Sequence, residues 1–400
     1  MALTRIKDVG VDPAAAVQAS KISYLFSDTG GAPVSTSIDA VFAAEPINAK
    51  VHFGAKGDGV TDDTTALNLA LDKAFSLGRP LYIPKGVYVL SQVGSTGRCL
   101  LNKGVSMVGD GAVRTIFTFA PSVPNTVDMM LFAPIGGADF VTIERTGWWP
   151  GYPNFQSTIK GKRCIHFLWT GSASVSSSKL KVQHNYFFPS SDYSIETECN
   201  SIIIQGSPSN AQFSDNHFWG GVKLSNIGDS NVFARNVLRS PVSLRPGFNV
   251  FVIDAAGGSA GHNVFRDNNI DCYGGAIWIL NGREYIIDGN NIEQSTGGGS
   301  SSAAVVDIDG TSGTVISAKV TNNRIAIFGS STAQTALRFN GSLDGFENCN
   351  TLETDVTRGQ ALLITSNSNG LKRGGATRIG SGWTTPVNNS GVGTKLATYA

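Results

Sequence analysis

The chain has 400 residues, a formal net charge of +1 and a charged fraction of 15%, against about 25% in an average globular protein. A net charge so near zero offers no bulk attraction to nucleic acid or to an anionic membrane, and no stretch approaches the ~18 uninterrupted apolar residues of a membrane span. The 47 glycines, with many Ser, Thr and Asn residues, are typical of a fold with many turns.

Cysteine and histidine spacing indicates neither a disulfide framework nor a metal centre. The five cysteines are odd in number and lack a CxxC pair, so we interpret them as small apolar core residues. The five histidines show no HxH or HExxH spacing, and we predict no metal and no cofactor. Met1–Asp12 lacks the apolar core of a signal peptide. The protein is therefore expected to stay in a cytoplasm or to leave it without the secretory route.

The N-terminal part of the chain is predicted to contain a leader, residues 1–48, and a capping region, residues 49–98. The leader is Ala- and Ser-rich with a turn at 28–33, and it is either an attachment or oligomerisation segment or a mobile leader. In the capping region, Thr61 is the predicted N-cap of an amphipathic helix that has Asp62 and Asp63 in its first turn and ends at Gly78. Two short strands follow the helix.

Residues 99–371 carry a repeat that predicts an all-β fold, a right-handed single-stranded parallel β-helix with an N-terminal capping helix. The pattern is Asn, any residue, then an apolar residue, with gaps of 31, 20, 32, 22, 33 and 27 residues. Its asparagines are Asn185, Asn216, Asn236, Asn268, Asn290, Asn323 and Asn350. Such a period is typical of stacked coils, and the crossover rule makes the coil right-handed. In register, the amides are predicted to form a structural ladder.

The capping region and the repeats resemble the pectate-lyase-like (pectin-lyase-like) β-helix superfamily, and more narrowly bacteriophage tailspike proteins. The resemblance covers about residues 48–370 and is carried by Phe53–Gly59, Asp62–Thr64, Ala66, Ala70 and Ile83–Tyr88. It implies that the capping motif marks the start of the β-helix and is not the active site. Asp58, Asp62 and Asp63 are accordingly interpreted as turn and cap residues.

The same resemblance implies a biological setting. It implies a homotrimer that attaches to another phage tail or baseplate protein through its N-terminal segment, and a long face that binds or cleaves bacterial surface polysaccharide (capsule or O-antigen) in host adhesion. Such a virion protein is made in host cytoplasm and acts extracellularly; no nucleic acid partner is expected. Residues 372–400, polar and rich in Gly, Ser and Thr, are predicted to seal the trimer, with a disordered tail as the alternative.

Outward side chains of a β-helix stack in columns, so acids on adjacent coils lie about 5 Å apart, a spacing close to that of retaining glycosidases. The first candidate column follows the Asn motif by three positions. It contains the candidate catalytic acids Asp271 and Glu293 and the candidate substrate contacts Arg239 and Trp219. Repulsion between the two acids favours one protonated carboxyl, as a general acid requires.

A second candidate column comes from aligning strands that end in a turn. Asn281 is predicted to lie between Asp254 and Asp309 in this column, with Asp307 and Arg338 in its neighbour. The candidates are the acids Asp254, Asp307 and Asp309 and the substrate contacts Arg338 and Trp278. An aspartate before glycine is often only a turn residue, which is the alternative for Asp309. A groove between subunits is a third location.

The resemblance, taken together with these columns of acids, implies a tailspike depolymerase that cleaves polysaccharide by carboxylate-based hydrolysis. Elimination from a uronic acid, with Arg or Lys as the base and acids holding calcium, is an alternative mechanism. A spike that binds glycan without cleaving it is an alternative function. A secreted pectate lyase or polygalacturonase is disfavoured because no signal peptide is recognised.

Overall fold

The computed structural model describes residues 23–27, 33–37, 45–124, 126–135, 140–153, 163–168, 179–188, 200–206, 209–225, 228–239, 249–254, 261–272, 274–295, 304–310, 315–328, 335–355, 358–374, 377–381, 383–389 and 395–396. The chain divides into two compact units, Met1–Pro46 and Ile47–Ala400. In the first unit, strands Ser23–Ser27 and Pro33–Ser37 pair antiparallel. The turn predicted at 28–33 lies, except for its last residue, outside the described residues.

The second unit is a right-handed single-stranded parallel β-helix, as predicted. Each coil passes through three parallel sheets, named sheets I, II and III. The described strands of sheet I are Ile47–Asn48, Leu81–Ile83, Met107–Gly109, Val141–Glu144, Leu180–Gln183, Gln212–Ser214, Val232–Ala234, Val264–Arg266, Ile286–Asp288, Lys319–Thr321, Phe346–Asn348, Lys372–Arg373 and Lys395–Leu396.

The described strands of sheet II are Asp58–Asp62, Gly86–Leu90, Thr115–Phe119, Gly147–Trp148, Tyr186–Phe187, His217–Trp219, Val237–Arg239, Asn269–Cys272, Asn291–Gln294, Arg324–Ile327, Thr351–Thr354 and Arg378–Ile379. Sheet III contains Arg98–Asn102, Asp128–Phe132, Arg163–Leu168, Asn200–Gln205, Gly221–Ser225, Asn249–Asp254, Gly275–Ile279, Ala304–Asp309, Thr335–Asn340, Arg358–Ile364 and Trp383–Asn389. A small sheet contains Gly282–Arg283, Val315–Ile316 and Ser342–Leu343. Stacked parallel strands therefore also occur before residue 99 and after residue 371, outside the range predicted for the β-helix.

The asparagine ladder is confirmed, and it lies buried at the turn from sheet I to sheet II. Consecutive ladder amides are joined from Nδ2 to Oδ1 over 2.9–3.2 Å, from Asn185 to Asn350. The residue before each asparagine, except Gly289 in one coil, is a non-glycine residue with φ between 55° and 58°. That left-handed conformation costs roughly 1–2 kcal/mol per residue, so the ladder bonds offset a strained turn.

The interior of the coils is filled by stacked aromatic and aliphatic side chains. Phe213, Phe233 and Phe265 stack on consecutive coils with ring centroids 4.8 and 5.1 Å apart. Cys99, Cys164 and Cys272 are buried in this core, as predicted. Cys349 is exposed instead, because it occupies the left-handed turn position before Asn350, and Cys199 lies outside the described residues.

The capping helix begins later than predicted. It spans Thr64–Leu77, its N-cap is Asp63, and its first turn contains no acidic residue. Asp62 instead ends a strand and accepts hydrogen bonds from the backbone and hydroxyl of Thr64, while Asp63 accepts the backbone N–H groups of Lys56 and Gly57. Thr61 is not the N-cap, because its N–H and hydroxyl bind Asp58.

The acids of this region therefore brace turns, which agrees with the role that the resemblance implied for them. Hydrogen bonds from Thr61 and Val60 lower the pKa of Asp58 to about 2. The helix ends at Gly78 with φ 62°, as predicted. A short helix, Ala49–Phe53, precedes it and was not predicted. No described helix is long and apolar enough to cross a membrane.

Candidate functional site

The first predicted column lies on the outer face of sheet II, and its register is as expected. Trp219 pairs with Arg239, Arg239 with Asp271, and Asp271 with Glu293 in neighbouring parallel strands. The column continues through Ala326 to Glu353, which belong to the next two coils. An aromatic ring, a cation and two acids therefore follow one another on consecutive coils.

At one end of this column, aromatic side chains form a surface, named the aromatic platform, from Trp149, Tyr186, Phe188 and Trp219. The rings of Tyr186 and Phe188 stack with centroids 6.0 Å apart, and Trp149 and Trp219 each lie 4.9 Å from Phe188. Phe188 is buried, whereas the other three are half-buried. The exposed Arg239 guanidinium lies 5.6 Å from the Trp219 ring, a cation–π distance.

The candidate columns left out Tyr186 and His217, although the sequence carried a signal that places both on this face. Both directly follow a ladder asparagine, and strand alternation places that position on the same outer face as the position two residues later. The Trp219 indole Nε1–H donates to His217 Nε2 over 2.8 Å. Because an indole is only a donor, His217 Nε2 must be an acceptor, and its ring is neutral.

The ionisation of His217 gives a prediction about pH. Burial, and secondarily the charge of Arg239, lowers the pKa of His217 from 6.5 to about 4. The unfolded chain then binds a proton at a higher pH than the folded chain, so this contribution to stability is present above pH 6.5 and is lost as the pH falls towards 4. His217→Gln, which keeps an acceptor and does not titrate, should show a smaller fall in unfolding free energy over that range. Identical pH dependence in the two proteins would contradict the assignment.

The acids of the column differ in their surroundings. Arg324 bridges Glu293 and Glu353, with Nη1 2.8 Å from Glu293 Oε1 and Nη2 2.9 Å from Glu353 Oε2. Hydrogen bonding to Glu293 is the main cause of the raised pKa of Arg324. Asp271 is half-buried and accepts the Ser295 hydroxyl over 3.3 Å, and no described cation pairs with it. Asp271 is thus the acid of this pair that no cation among the described residues holds.

The structure brings Asp307, Asp309 and Arg338 together on sheet III, but buries them. Arg338 Nε and Nη2 bind the two oxygens of Asp307 over 2.7 and 2.9 Å, and Nη2 also binds Asp309 over 2.7 Å. The Asp307 side chain is 0% exposed, and those of Asp309 and Arg338 are 12% and 14% exposed. Trp278 pairs in register with Asp307 and is half-buried. This arrangement is a closed ion-pair network rather than an open cleft.

The predicted place of Asn281 in the second column is wrong by one residue. Ile279 pairs with Ile253 and with Ile308, which places Leu280, not Asn281, between Asp254 and Asp309. The prediction aligned the strands on the turns that end them, but Asn281 is an extra residue before Gly282, whereas Gly310 directly follows Asp309. Asp254 pairs in the backbone with Ser225, and its side chain lies outside the described part of the structure.

More than half of the chain matches the model of one protein family. Residues 47–300 match the model of the family described as Rhamnogalacturonase A/epimerase, pectate lyase-like. The chain belongs to this family. The family match spans the capping region and the strands that carry Trp219, Arg239, Asp271 and Glu293.

Other relatives of this pectate-lyase-like chain match over shorter stretches. Mannuronan C5-epimerase AlgE1 of Azotobacter vinelandii is 31% identical over 132 residues, 28% of this chain and 9% of that protein. Alginate lyase 7 of the same organism is 42% identical over 67 residues, 16% of this chain and 8% of that protein. The matched region therefore spans less than a tenth of either relative.

Among solved structures, two tailspikes share the pectate-lyase-like fold. The Dettilon tailspike protein has a TM-score of 0.57 and 13% identity, covering 90% of this chain and 70% of that one. The tailspike of E. coli bacteriophage HK620, solved with a hexasaccharide, has a TM-score of 0.50 and 12% identity, covering 91% and 71%. At these identities the likeness shows the parallel β-helix fold.

Proposed function

We propose that the outer face of sheet II binds and cleaves an acidic polysaccharide. The observation that carries this proposal is the unbroken register from Trp219 through Arg239 to Asp271 and Glu293. Aromatic rings stack on the apolar faces of sugars, and an exposed guanidinium binds a carboxylate of an acidic sugar. The relatives named for mannuronan and alginate support an acidic polymer as substrate.

Hydrolysis by the two carboxylates is the reaction that this column supports best. Strands of adjacent coils lie about 5 Å apart, close to the carboxyl separation of retaining glycosidases. Asp271, which no described cation holds, is assigned as the general acid that protonates the leaving oxygen. Glu293, oriented by Arg324, is assigned as the nucleophile.

Elimination from a uronic acid is the second candidate reaction. It is favoured by the position of Arg239, which is exposed and pairs in register with Asp271, so that a base and a carboxylate stand side by side. The relative named as an alginate lyase supports the same alternative. In a spike that only binds glycan, the aromatic platform and Arg239 would act without cleavage.

The biological setting proposed for this activity is a bacteriophage tail. The likeness of the fold to two tailspikes supports a homotrimeric receptor-binding spike that acts on the host surface. Residues 1–48 are proposed to attach it to another tail protein, and residues 372–400 to seal the trimer. Capsule and O-antigen are the proposed substrates.

The test is cleavage of a panel of acidic and neutral bacterial polysaccharides by the purified protein and its variants. New reducing ends without ultraviolet absorbance of an unsaturated product indicate hydrolysis, and absorbance indicates elimination. Asp271→Asn and Glu293→Gln should each lower the rate at least about a hundredfold, as expected for loss of an acid or a nucleophile.

Glu353→Gln is the matched control, because Glu353 lies in the same column and binds the same Arg324. It should retain activity within about threefold, since an exposed ion pair contributes little. Full activity of both Asp271→Asn and Glu293→Gln would overturn this site. Tight glycan binding without any product would favour the non-enzymatic spike.

A further inference from the structure

Three polar side chains, named here the amide row, lie beside the candidate column on the outer face of sheet II. Asn269 pairs in register with Asn291, and Asn291 pairs with Arg324, in neighbouring parallel strands. Asn269 stands two residues before Asp271, and Asn291 two residues before Glu293, so strand alternation places the row and the column on one face. The two asparagines have no part in the reaction proposed above.

Hydrogen bonds fix the direction of both amides in this row. Arg324 Nη1 lies 3.0 Å from one polar atom of the Asn291 amide, and because a guanidinium only donates, that atom must be Oδ1. The other atom, Nδ2, faces Asn269, and because an amide NH2 group only donates, it must meet Asn269 Oδ1, which is 3.0 Å away. The donors of Arg324 thus determine the orientation of an amide two coils away.

Asn269 therefore presents a donor to the candidate site. Its Oδ1 is turned to Asn291, so its Nδ2 is turned away from Asn291, on the side of the coil that carries Val237 and Arg239. Val237, the register partner of Asn269 in that coil, has an apolar side chain, and Nδ2 has no acceptor among the residues that the structure describes. Asn269 is exposed, so a ligand can reach this donor.

The orientation of Asn269 determines which sugar groups it favours. An asparagine without such neighbours can turn its amide over and offer either a donor or an acceptor. If Asn269 turned over, its Nδ2 would face Asn291 Nδ2 and the bond between the two amides would be lost. A carboxylate oxygen only accepts, and a hydrogen bond to it is about twice as strong as one to a neutral oxygen. The exposed guanidinium of Arg239, in the adjacent coil, adds positive charge on the same side.

We propose that Asn269 is a specificity-determining residue that donates from Nδ2 to the carboxylate of a uronic acid, and that Asn291 and Arg324 are positioning residues that keep it a donor. This role rests on the proposed function, which brings an acidic polysaccharide to Asp271. Arg239 attracts the carboxylate by its charge. Asn269 adds a directed bond, which is weaker when a neutral sugar places a hydroxyl there.

The test is the affinity of the full chain for acidic and neutral oligosaccharides, measured by calorimetric titration. The acidic probes are short oligomers of mannuronate and of galacturonate, chosen after the names of the relatives and of the family. The neutral probes are the same oligomers with their carboxyl groups reduced to alcohols. All titrated chains, including the parent, carry Glu293→Gln so that the oligomers are not consumed. The parent should bind the acidic oligomers about tenfold or more tightly than the reduced ones.

Asn291→Asp is the sharpest variant, because it barely changes the size of the side chain. The new carboxylate still accepts from Arg324 but cannot donate, so Asn269 turns over, donates to it and presents Oδ1 to the site. The affinity for the acidic oligomers should fall about tenfold or more, whereas that for the reduced oligomers should stay within about threefold, because a hydroxyl can donate to Oδ1. Asn269→Ala, which removes the donor without adding charge, should also weaken the acidic oligomers about tenfold.

Thr351→Asp controls for the added negative charge. Thr351 pairs in register with Arg324 on the side away from Asn291, so the same charge enters the same row without reaching Asn269. It should weaken the acidic oligomers less than about threefold, because three coil spacings of ~4.8 Å exceed the screening length of ~8 Å at physiological salt. At about 0.5 M salt the ratio between Asn291→Asp and its parent should persist, since salt screens charge and does not turn the amide.

The results distinguish an error in the role of the amide row from an error in the proposed function. If neither acidic oligomer binds the parent, the assignment to uronate polymers is wrong, and the role of Asn269 falls with it. If the acidic oligomers bind the parent and bind Asn291→Asp and Asn269→Ala equally well, the proposed function stands and the role of the row is overturned. Equal weakening of acidic and reduced oligomers, or an equal loss in Thr351→Asp, would overturn it too. Melting temperatures, measured alongside, show that each variant is folded.

Discussion

Replacing Asn268 by alanine should destabilise the protein by about 3–5 kcal/mol, because two buried backbone groups would lose their partners. Asn268 Oδ1 accepts the backbone N–H and the side-chain amide of Asn236, both over 3.0 Å. Its Nδ2 donates to Asn290 Oδ1 over 2.9 Å and to Phe233 O over 3.0 Å. Alanine supplies none of these bonds and leaves a gap between coils. The loss should appear in the free energy of unfolding, or in the unfolding rate if unfolding is irreversible.

The matched control is the next residue, an asparagine that begins the strand directly after this ladder position. Asn269 is exposed, and its Oδ1 accepts one bond, from Asn291 Nδ2 over 3.0 Å at the surface. Asn269→Ala should cost less than about 1 kcal/mol, because water replaces the lost partner. Equal destabilisation of the two variants would show that a ladder amide contributes no more to stability than a surface amide. That result would contradict the interpretation of the ladder as a structural feature that stabilises the coil.

Replacing Arg338 by leucine should also cost about 3–5 kcal/mol, since it leaves a buried carboxylate without its cation. Asp307 is fully buried, and both of its oxygens accept from Arg338. The measurement is again the free energy of unfolding, followed with pH. The deficit should shrink as the pH falls, because an unpaired buried carboxyl favours its protonated form.

Two further variants test that assignment. Adding Asp307→Leu and Asp309→Asn to Arg338→Leu should recover much of the loss, because replacing a whole buried ionic network by uncharged side chains is often nearly neutral. Arg235→Leu breaks an exposed pair, with side chains 54% and 29% exposed, and should cost less than about 1 kcal/mol. A small effect of Arg338→Leu would contradict the network's structural role. If the Asp307→Asn variant folds but no longer cleaves polysaccharide, the reaction must be assigned to the residues of sheet III instead.

Local chain signals did not predict the start of the capping helix. Thr61 with two following acids has the composition of a helix N-terminus. In the structure, Asp58 and Asp62 satisfy turn and strand groups, and the helix begins at Thr64. Pairing of the strand Asp58–Asp62 with the distant strand Gly86–Leu90 outweighed capping preferences of at most about 2 kcal/mol.

The repeat determined the stacking and therefore much of the candidate site. Because one face of each strand must be buried and the amides must meet, a ladder of asparagines allows a single register. The column Trp219, Arg239, Asp271 and Glu293 follows from it and was predicted from the sequence. Aligning strands on their terminal turns misplaced Asn281, because a turn can contain an extra residue whereas a ladder position cannot.

The sequence by itself thus determined the coil, its ladder and which side chains share a column, because these depend on a period that repeats along the chain. Only the tertiary structure decided which outward groups meet solvent. Asp307 and Asp271 both point outward, yet Asp307 is sealed in an ion-pair network while Asp271 is not. Burial and pairing of this kind depend on contacts between distant residues, which no local pattern records.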